Sequence, residues 1–263
     1  MINVLLIGGR GIIGSGLRYY LPRLDSNYGI VTVDLPGAVD LAGKQEVESE
    51  FVDLDINTDH EAFNGLVVGK DMVIYLARKN PLEEMNAMTD LVFDTVRRQS
   101  HPPLIVAASS VHAVDEAYNF VDGPLSILAD RKFHEIDEMP DPISATIPAC
   151  PNNDYGQEKA YVEEWAQQMA LNGFGAISAR WGGINERNKM TDERGYFTLW
   201  CHQEDAARFV HACYTSYVKG TLRNGAYYFV ISNNTYNIFD IETPKREIGY
   251  EPVHNAEVFY KGD

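Results

Sequence analysis

The chain has 263 residues, 45% hydrophobic and 23% charged, which suits one large globular domain, alone or with a small cap. Its 38 acidic residues against 22 basic ones leave a net charge of −16 and argue against nucleic-acid or anionic-membrane partners. Cys150, Cys201 and Cys213 have no metal-ligand spacing, and no leader or membrane-length apolar run is visible, so the expectation is a cytoplasmic protein with reduced thiols.

Val4–Ile7 is a short apolar run of the kind expected for a strand buried on both faces. The turn Gly8-Gly9-Arg10-Gly11-Ile12-Ile13-Gly14 follows, and then a helical pattern through Leu17, Tyr20 and Leu21. Strand, glycine turn and helix are the context of a dinucleotide site, in which free N–H groups at the helix start face a pyrophosphate. Gly8 would permit the tight turn, Gly11 the close approach of the cofactor, and Gly14 the packing of helix on strand.

A second strand, Ile30–Val33, ends at Asp34, about 20 residues past Gly14, where an acid holds the adenosine ribose hydroxyls. A carboxylate there repels a 2′-phosphate and favours NAD over NADP, while Arg10 is a counter-signal. Glu50–Asp55 reads as the third strand, with Asp53-Leu54 near the adenine, and Met72–Ala77 as the fourth, with Leu76-Ala77 along the cofactor. Arg78 and Lys79 follow and could meet an anionic substrate. Asn86–Arg98 reads as a long helix. Leu104–Ala108 is the fifth strand, leading into Ser109-Ser110-Val111-His112, where a serine hydroxyl can hold a substrate oxygen and His112 can donate to a sugar hydroxyl.

Pro151–Asp154 reads as a loop and cap ahead of a helix carrying Tyr155-Gly156-Gln157-Glu158-Lys159, Val162, Trp165 and Met169. Positions four apart share a helix face, so Tyr155 and Lys159 point the same way. A phenol beside an ammonium is a general base for a hydroxyl proton. Val162, Trp165 and Met169 also suggest a homodimer through paired helices. Ala176–Arg180 and Tyr227–Ser232 read as strands, and 232–251 as a turn and final helix. His60, His101, His134, His202, His211 and His254 are scattered, so no metal is expected.

These residues resemble the short-chain dehydrogenase/reductase superfamily, in its extended, epimerase/dehydratase-like form. The glycine pattern, Asp34, the paired serines and Tyr155-x-x-x-Lys159 carry the match. Later segments (Ile177–Gly182, Leu199–Arg208, Val230–Asn234 and Arg246–Pro252) resemble the uronate dehydrogenases, which oxidise a hexuronate at its anomeric carbon with NAD. The resemblance implies a doubly wound Rossmann-type parallel sheet with a small C-terminal substrate cap. It implies Ser110, Tyr155 and Lys159 as the catalytic set. Gly8, Arg10, Gly11, Ile12, Ile13, Gly14, Asp34, Asp53, Leu54, Leu76, Ala77, Ala108, Tyr155 and Lys159 fall along the NAD, and Arg78, Ser110, Val111, His112 and Arg180 around the substrate. Arg180 matches the arginine that pairs with the uronate carboxylate.

Three departures bear on the substrate. Val111 stands where the family pattern has asparagine. Arg78-Lys79-Asn80-Pro81 replaces a serine-bearing segment. The stretch from Ser110 to Tyr155 is unusually long, with an insertion within 116–148. The short chain after Lys159 leaves little for a large cap, so a free sugar or sugar acid fits better than a nucleotide sugar. The readings that compete are an epimerase or dehydratase that retains its NAD, and a catalytically silent NAD-binding redox sensor.

Overall fold

A computed structural model describes residues 1–41 and 49–260. Within them, β1 (Ile2–Ile7), β2 (Tyr28–Asp34), β3 (Glu50–Asp53), β4 (Met72–Tyr75), β5 (Leu104–Ser110), β6 (Ala176–Trp181) and β7 (Tyr227–Val230) form one sheet. Its order is β3-β2-β1-β4-β5-β6-β7 and every neighbouring pair is parallel. Parallel neighbours need crossovers, and among the described residues helices supply those that follow β1, β3, β4, β5 and β6: α1 (Ile12–Leu24), α2 (His60–Val67), α3 (Leu82–Arg97), α5 (Asp154–Leu171) and α7 (Gln203–Val218). The shorter helices are α4 (Gly123–Ala129), α6 (Tyr196–Leu199) and α8 (Glu242–Ile248). Order reverses between β1 and β4, and a crevice opens there beyond the strand ends, the place where such sheets bind ligands.

The continuous apolar runs follow from burial on both faces. Leu6, Ile74, Val106 and Ile177 meet Leu17, Leu21, Phe209 and Val210 of α1 and α7 on one side. Leu5, Val73, Ile105 and Ala107 meet Phe63, Val92, Phe93, Val162 and Met169 of α2, α3 and α5 on the other. Each of these larger side chains contributes about 1.5–3 kcal/mol by leaving water. Val162 and Met169 are therefore core residues facing the sheet. Trp165 stacks on Phe93 at 5.5 Å and donates its indole N–H to Asp90 at 2.7 Å.

Element bounds differ where the chain enters the crevice. The fourth strand ends at Tyr75 because Leu76 and Ala77 turn to line the crevice, and the fifth runs on to Ser110. The long helix begins at Leu82, four positions before the expected start. Residues 116–148 hold α4 and a short 3-10 turn at Phe133–Glu135. They pack Leu128, Ile136 and Ala145 onto Phe229 of β7 and onto Ile231 and Phe239 beyond its end. Arg131 forks onto Glu257 at 2.9 and 2.7 Å, and Phe133 stacks on Tyr236 at 3.7 Å. Among the described residues, no helix is long and apolar enough to cross a membrane.

The turn from β1 to α1 is where glycine is required. Gly8 has φ +78°, and a Cβ there would lie 2.6 Å from the Ala77 backbone. A Cβ on Gly14 would lie 2.5 Å from Gly9 Cα. Gly8→Ala is expected to destabilise the protein by about 1–3 kcal/mol through backbone strain and collision, read as a lower urea midpoint.

Candidate active site

The crevice consists of two volumes of about 400 and 380 Å³ that share Gly8, Gly11, Leu76 and Arg78. The first reaches from the glycine turn to Asp34 and Leu54, and the second reaches to Ser110, Tyr155 and Lys159. The expected cofactor residues Gly8, Arg10, Gly11, Asp34, Leu54, Leu76 and Ala77 line the first, and Ile12, Ile13, Gly14 and Ala108 line the second.

Asp34 sits at the carboxyl end of β2. One of its oxygens accepts the Arg10 backbone N–H at 2.9 Å and the other accepts that of Leu35 at 2.9 Å. Each carboxylate oxygen has capacity for a second bond, as ribose hydroxyls would need. Asp53 points away from this volume. It holds the Arg10 guanidinium at 2.6 Å, and Arg10 also lies 5.2 Å over the Phe51 ring. Leu54 lines this volume, whereas Asp53 does not.

At the other end, Tyr155 and Lys159 lie one turn apart on α5. Asn153 caps this helix, accepting the Gly156 N–H at 2.8 Å, and is tied to Asp115 at 2.7 Å. A Cβ on Gly156 would lie 2.5 Å from the His112 carbonyl oxygen, so glycine lets the helix approach the turn after β5. The Ser110 and Tyr155 side chains line the same volume. The Lys159 ammonium lies 5.3 Å from the Tyr155 ring centre. Burial pushes the Tyr155 phenol above its ordinary value; the Ser110 hydroxyl opposes this, Glu158 reinforces it and Arg78 opposes it. Burial lowers Lys159 from its usual range, and Glu158 acts against that.

The two serines have opposite fates, as alternation along a strand requires. Ser110 faces the crevice. Ser109 donates its hydroxyl to Glu163 at 2.6 Å beneath α5. His112 stands edge-on to Tyr155 at 5.4 Å and pairs through Nδ1 with Asp115 at 2.9 Å. Arg78 lies 4.7 Å over the Tyr155 ring and donates its Nε–H to Glu158 at 2.7 Å. Lys79 pairs with Glu84 at 2.9 Å.

Two substrate contacts expected from the resemblance are not brought to the crevice. Arg180 is fully buried on the α5 side of the sheet. It forks onto Glu163 at 2.7 and 2.8 Å and donates to the Ile147 carbonyl at 2.9 Å. Its neighbour Trp181, on the other face of β6, lines the crevice instead. Val111 packs into the apolar cluster with Val114 and Phe229, since an apolar side chain at the start of that turn gains most by leaving water.

Sequence reasoning missed Glu158, Trp181 and Ile184. A glutamate inside a Tyr-x-x-x-Lys turn was the available signal for the first, and period-two alternation through Ile177, Ala179 and Trp181 for the second. His202 and His254, read as scattered, stack at 3.6 Å, and His254 pairs with Glu204 at 3.0 Å. Together with Glu204 they bring one ligand-type atom each to within 4.8 Å of one another, so these residues are not scattered in the fold.

No protein-family model and no curated protein sequence matches the chain. Solved structures match over nearly its whole length. Glucuronic acid dehydrogenase from Chromohalobacter salexigens has a TM-score of 0.73 and 21% identity, over 99% of this chain and 88% of that one. Uronate dehydrogenase from Agrobacterium tumefaciens has a TM-score of 0.70 and 20% identity, over 98% and 87%. dTDP-glucose 4,6-dehydratase from Bacillus anthracis, solved with NAD, has a TM-score of 0.69 and 15% identity, over 100% and 97%. This chain has their fold. The doubly wound Rossmann-type sheet expected from the sequence is thereby established.

Proposed function

We propose that this protein is an NAD-dependent oxidoreductase that oxidises a free sugar or sugar acid, with C1 of a hexuronate or related aldose going to its lactone. The observation that carries this reading is the meeting of Ser110, Tyr155 and Lys159 at one end of a crevice whose other end is the glycine turn and Asp34. The fit to a dinucleotide rests on that turn, where a Cβ at Gly8 or Gly14 would collide, and on the remaining acceptor capacity of Asp34. Bound NAD would supply the acceptor for two electrons and a proton's worth of hydrogen as hydride. The chain's own residues manage the rest. Tyr155, as phenolate, takes the hydroxyl proton as the carbon–hydrogen bond breaks and the carbonyl forms. Ser110 orients the reacting oxygen. Lys159 would hold the cofactor ribose, and lends positive charge beside the phenol.

With Arg180 sealed beneath the sheet, Arg78 is the cation at the crevice suited to a carboxylate, a role that a planar guanidinium performs well. Residues 116–148 and parts of 181–263 serve in this reading as the cap over the sugar.

The test is a screen of uronates, aldoses and sugar phosphates against NAD and NADP, followed by NADH absorbance. Sustained NADH formation with a uronate or aldose is expected. Conversion of sugar without net NADH would assign an epimerase or dehydratase instead, and NAD binding without conversion of any sugar would assign a sensor. Asp34→Ser is expected to move the preference towards NADP by about tenfold, which corresponds to about 1.4 kcal/mol of relieved repulsion. The ratio of kcat/KM for the two cofactors measures it.

A further inference from the structure

Glu158 has no part in the mechanism above, yet it is buried beside it. Only 2% of the residue is exposed, and one oxygen serves two cations: Arg78 Nε at 2.7 Å and Lys159 Nζ at 3.3 Å. Lys159 is itself 4% exposed. Arg78 reaches Glu158 from the turn after β4, so the carboxylate ties that turn to α5 across the crevice floor. The guanidinium and the ammonium lie on the same ring, 4.7 and 5.3 Å from the Tyr155 centre. Without an anion between them, two cations would share one poorly hydrated site, and the lysine can relieve that repulsion by losing its proton.

We propose that Glu158 is a positioning residue of the site: its carboxylate holds Arg78 and Lys159 against the Tyr155 ring and keeps the lysine charged. The inference rests on the oxidoreductase reading for the use made of that charge. The other groups near the pair are the Tyr75 phenol of β4, and Asp115 and His112 of the turn after β5. Of these, Asp115 is already shared by His112, Tyr118 and Asn153. Glu158 is thus the acid in direct contact with Lys159.

The site then carries one net positive charge, from two cations and one anion. Removing the anion or the outer cation should move Lys159 in opposite directions. A role confined to packing predicts no such reversal.

The test follows the ionisation of isotope-labelled lysine side chains by NMR, with the Lys159 signal assigned by its loss in Lys159→Met. In Glu158→Gln, which keeps the shape, the Lys159 titration midpoint is expected to fall by about one pH unit or more, the size of effect a contacting charge exerts. In Arg78→Ala it is expected to rise. An unmoved midpoint in Glu158→Gln, or movement in the same direction in both variants, overturns the proposal. If Glu158→Gln does not fold, Arg78→Ala decides alone: a rise supports the proposal and an unchanged midpoint overturns it. Neither measurement needs turnover, so a failed substrate screen and a failed positioning role are read separately.

Discussion

Tyr155→Phe is expected to lower turnover on the substrate found by the screen by about a thousandfold, within the range that a positioned acid–base group supplies. NAD affinity, measured by fluorescence quenching, should change by no more than a few-fold. The phenylalanine ring keeps the aromatic surface that meets Arg78 and His112, and loses only the hydroxyl. The pH dependence follows from the same group. Burial raises the Tyr155 phenol above its ordinary value, and oxidation needs it deprotonated. Oxidation should therefore climb with pH through the alkaline range, and the reverse reduction, which needs the protonated phenol, should decline over that range. Turnover that persists in the phenylalanine variant removes Tyr155 as the base.

Glu163→Ala is expected to cost about 3–5 kcal/mol of stability, because it leaves a buried guanidinium without its counter-charge. Glu163 is 2% exposed and Arg180 is 0% exposed; the same carboxylate also accepts the Ser109 hydroxyl. The loss is a large part of the 5–15 kcal/mol by which domains are ordinarily stable. Arg180→Met should cost a similar amount by stranding the acid. The double variant Glu163→Leu with Arg180→Met should be less destabilised than the sum of the two, since apolar side chains of similar volume can replace such a pair. Urea unfolding of the three proteins measures this. If Arg180 served the substrate and not the fold, its replacement would raise KM and leave the urea midpoint in place.

The strands were legible because a parallel sheet covered on both faces demands unbroken apolar runs, and Val4–Ile7, Met72–Tyr75 and Leu104–Ala107 are such runs. α7 was given no element from the sequence, although Gln203, Glu204 and Asp205 open it and acids in a first turn favour a helix start. Two of these polar side chains are buried by specific bonds: Gln203 to the Ile12 carbonyl at 2.7 Å, and Asp205 to Ser232 at 2.5 Å. Tyr155 and Lys159 could be placed side by side from helical spacing alone, and Asp34 from its distance along the chain. Arg180 could not be located that way. Alternation says that Arg180 and Trp181 face opposite sides of the sheet, but which side holds the crevice depends on where α5 lies. Glu163, the residue that claims Arg180, is 17 positions away, and no local pattern links them. The Arg10–Asp53 pair is hidden for the same reason, being formed across two strand ends.

The contact of Gly156 with the His112 carbonyl has a bearing on how this site can diversify. One backbone approach sets the distance of both Tyr155 and the neighbouring His112 ring from the sheet, so an insertion or a bulkier residue in either segment displaces the two together. New specificities are therefore most accessible through side-chain exchange on the far wall, at Trp181 and Ile184, where that backbone approach is left alone.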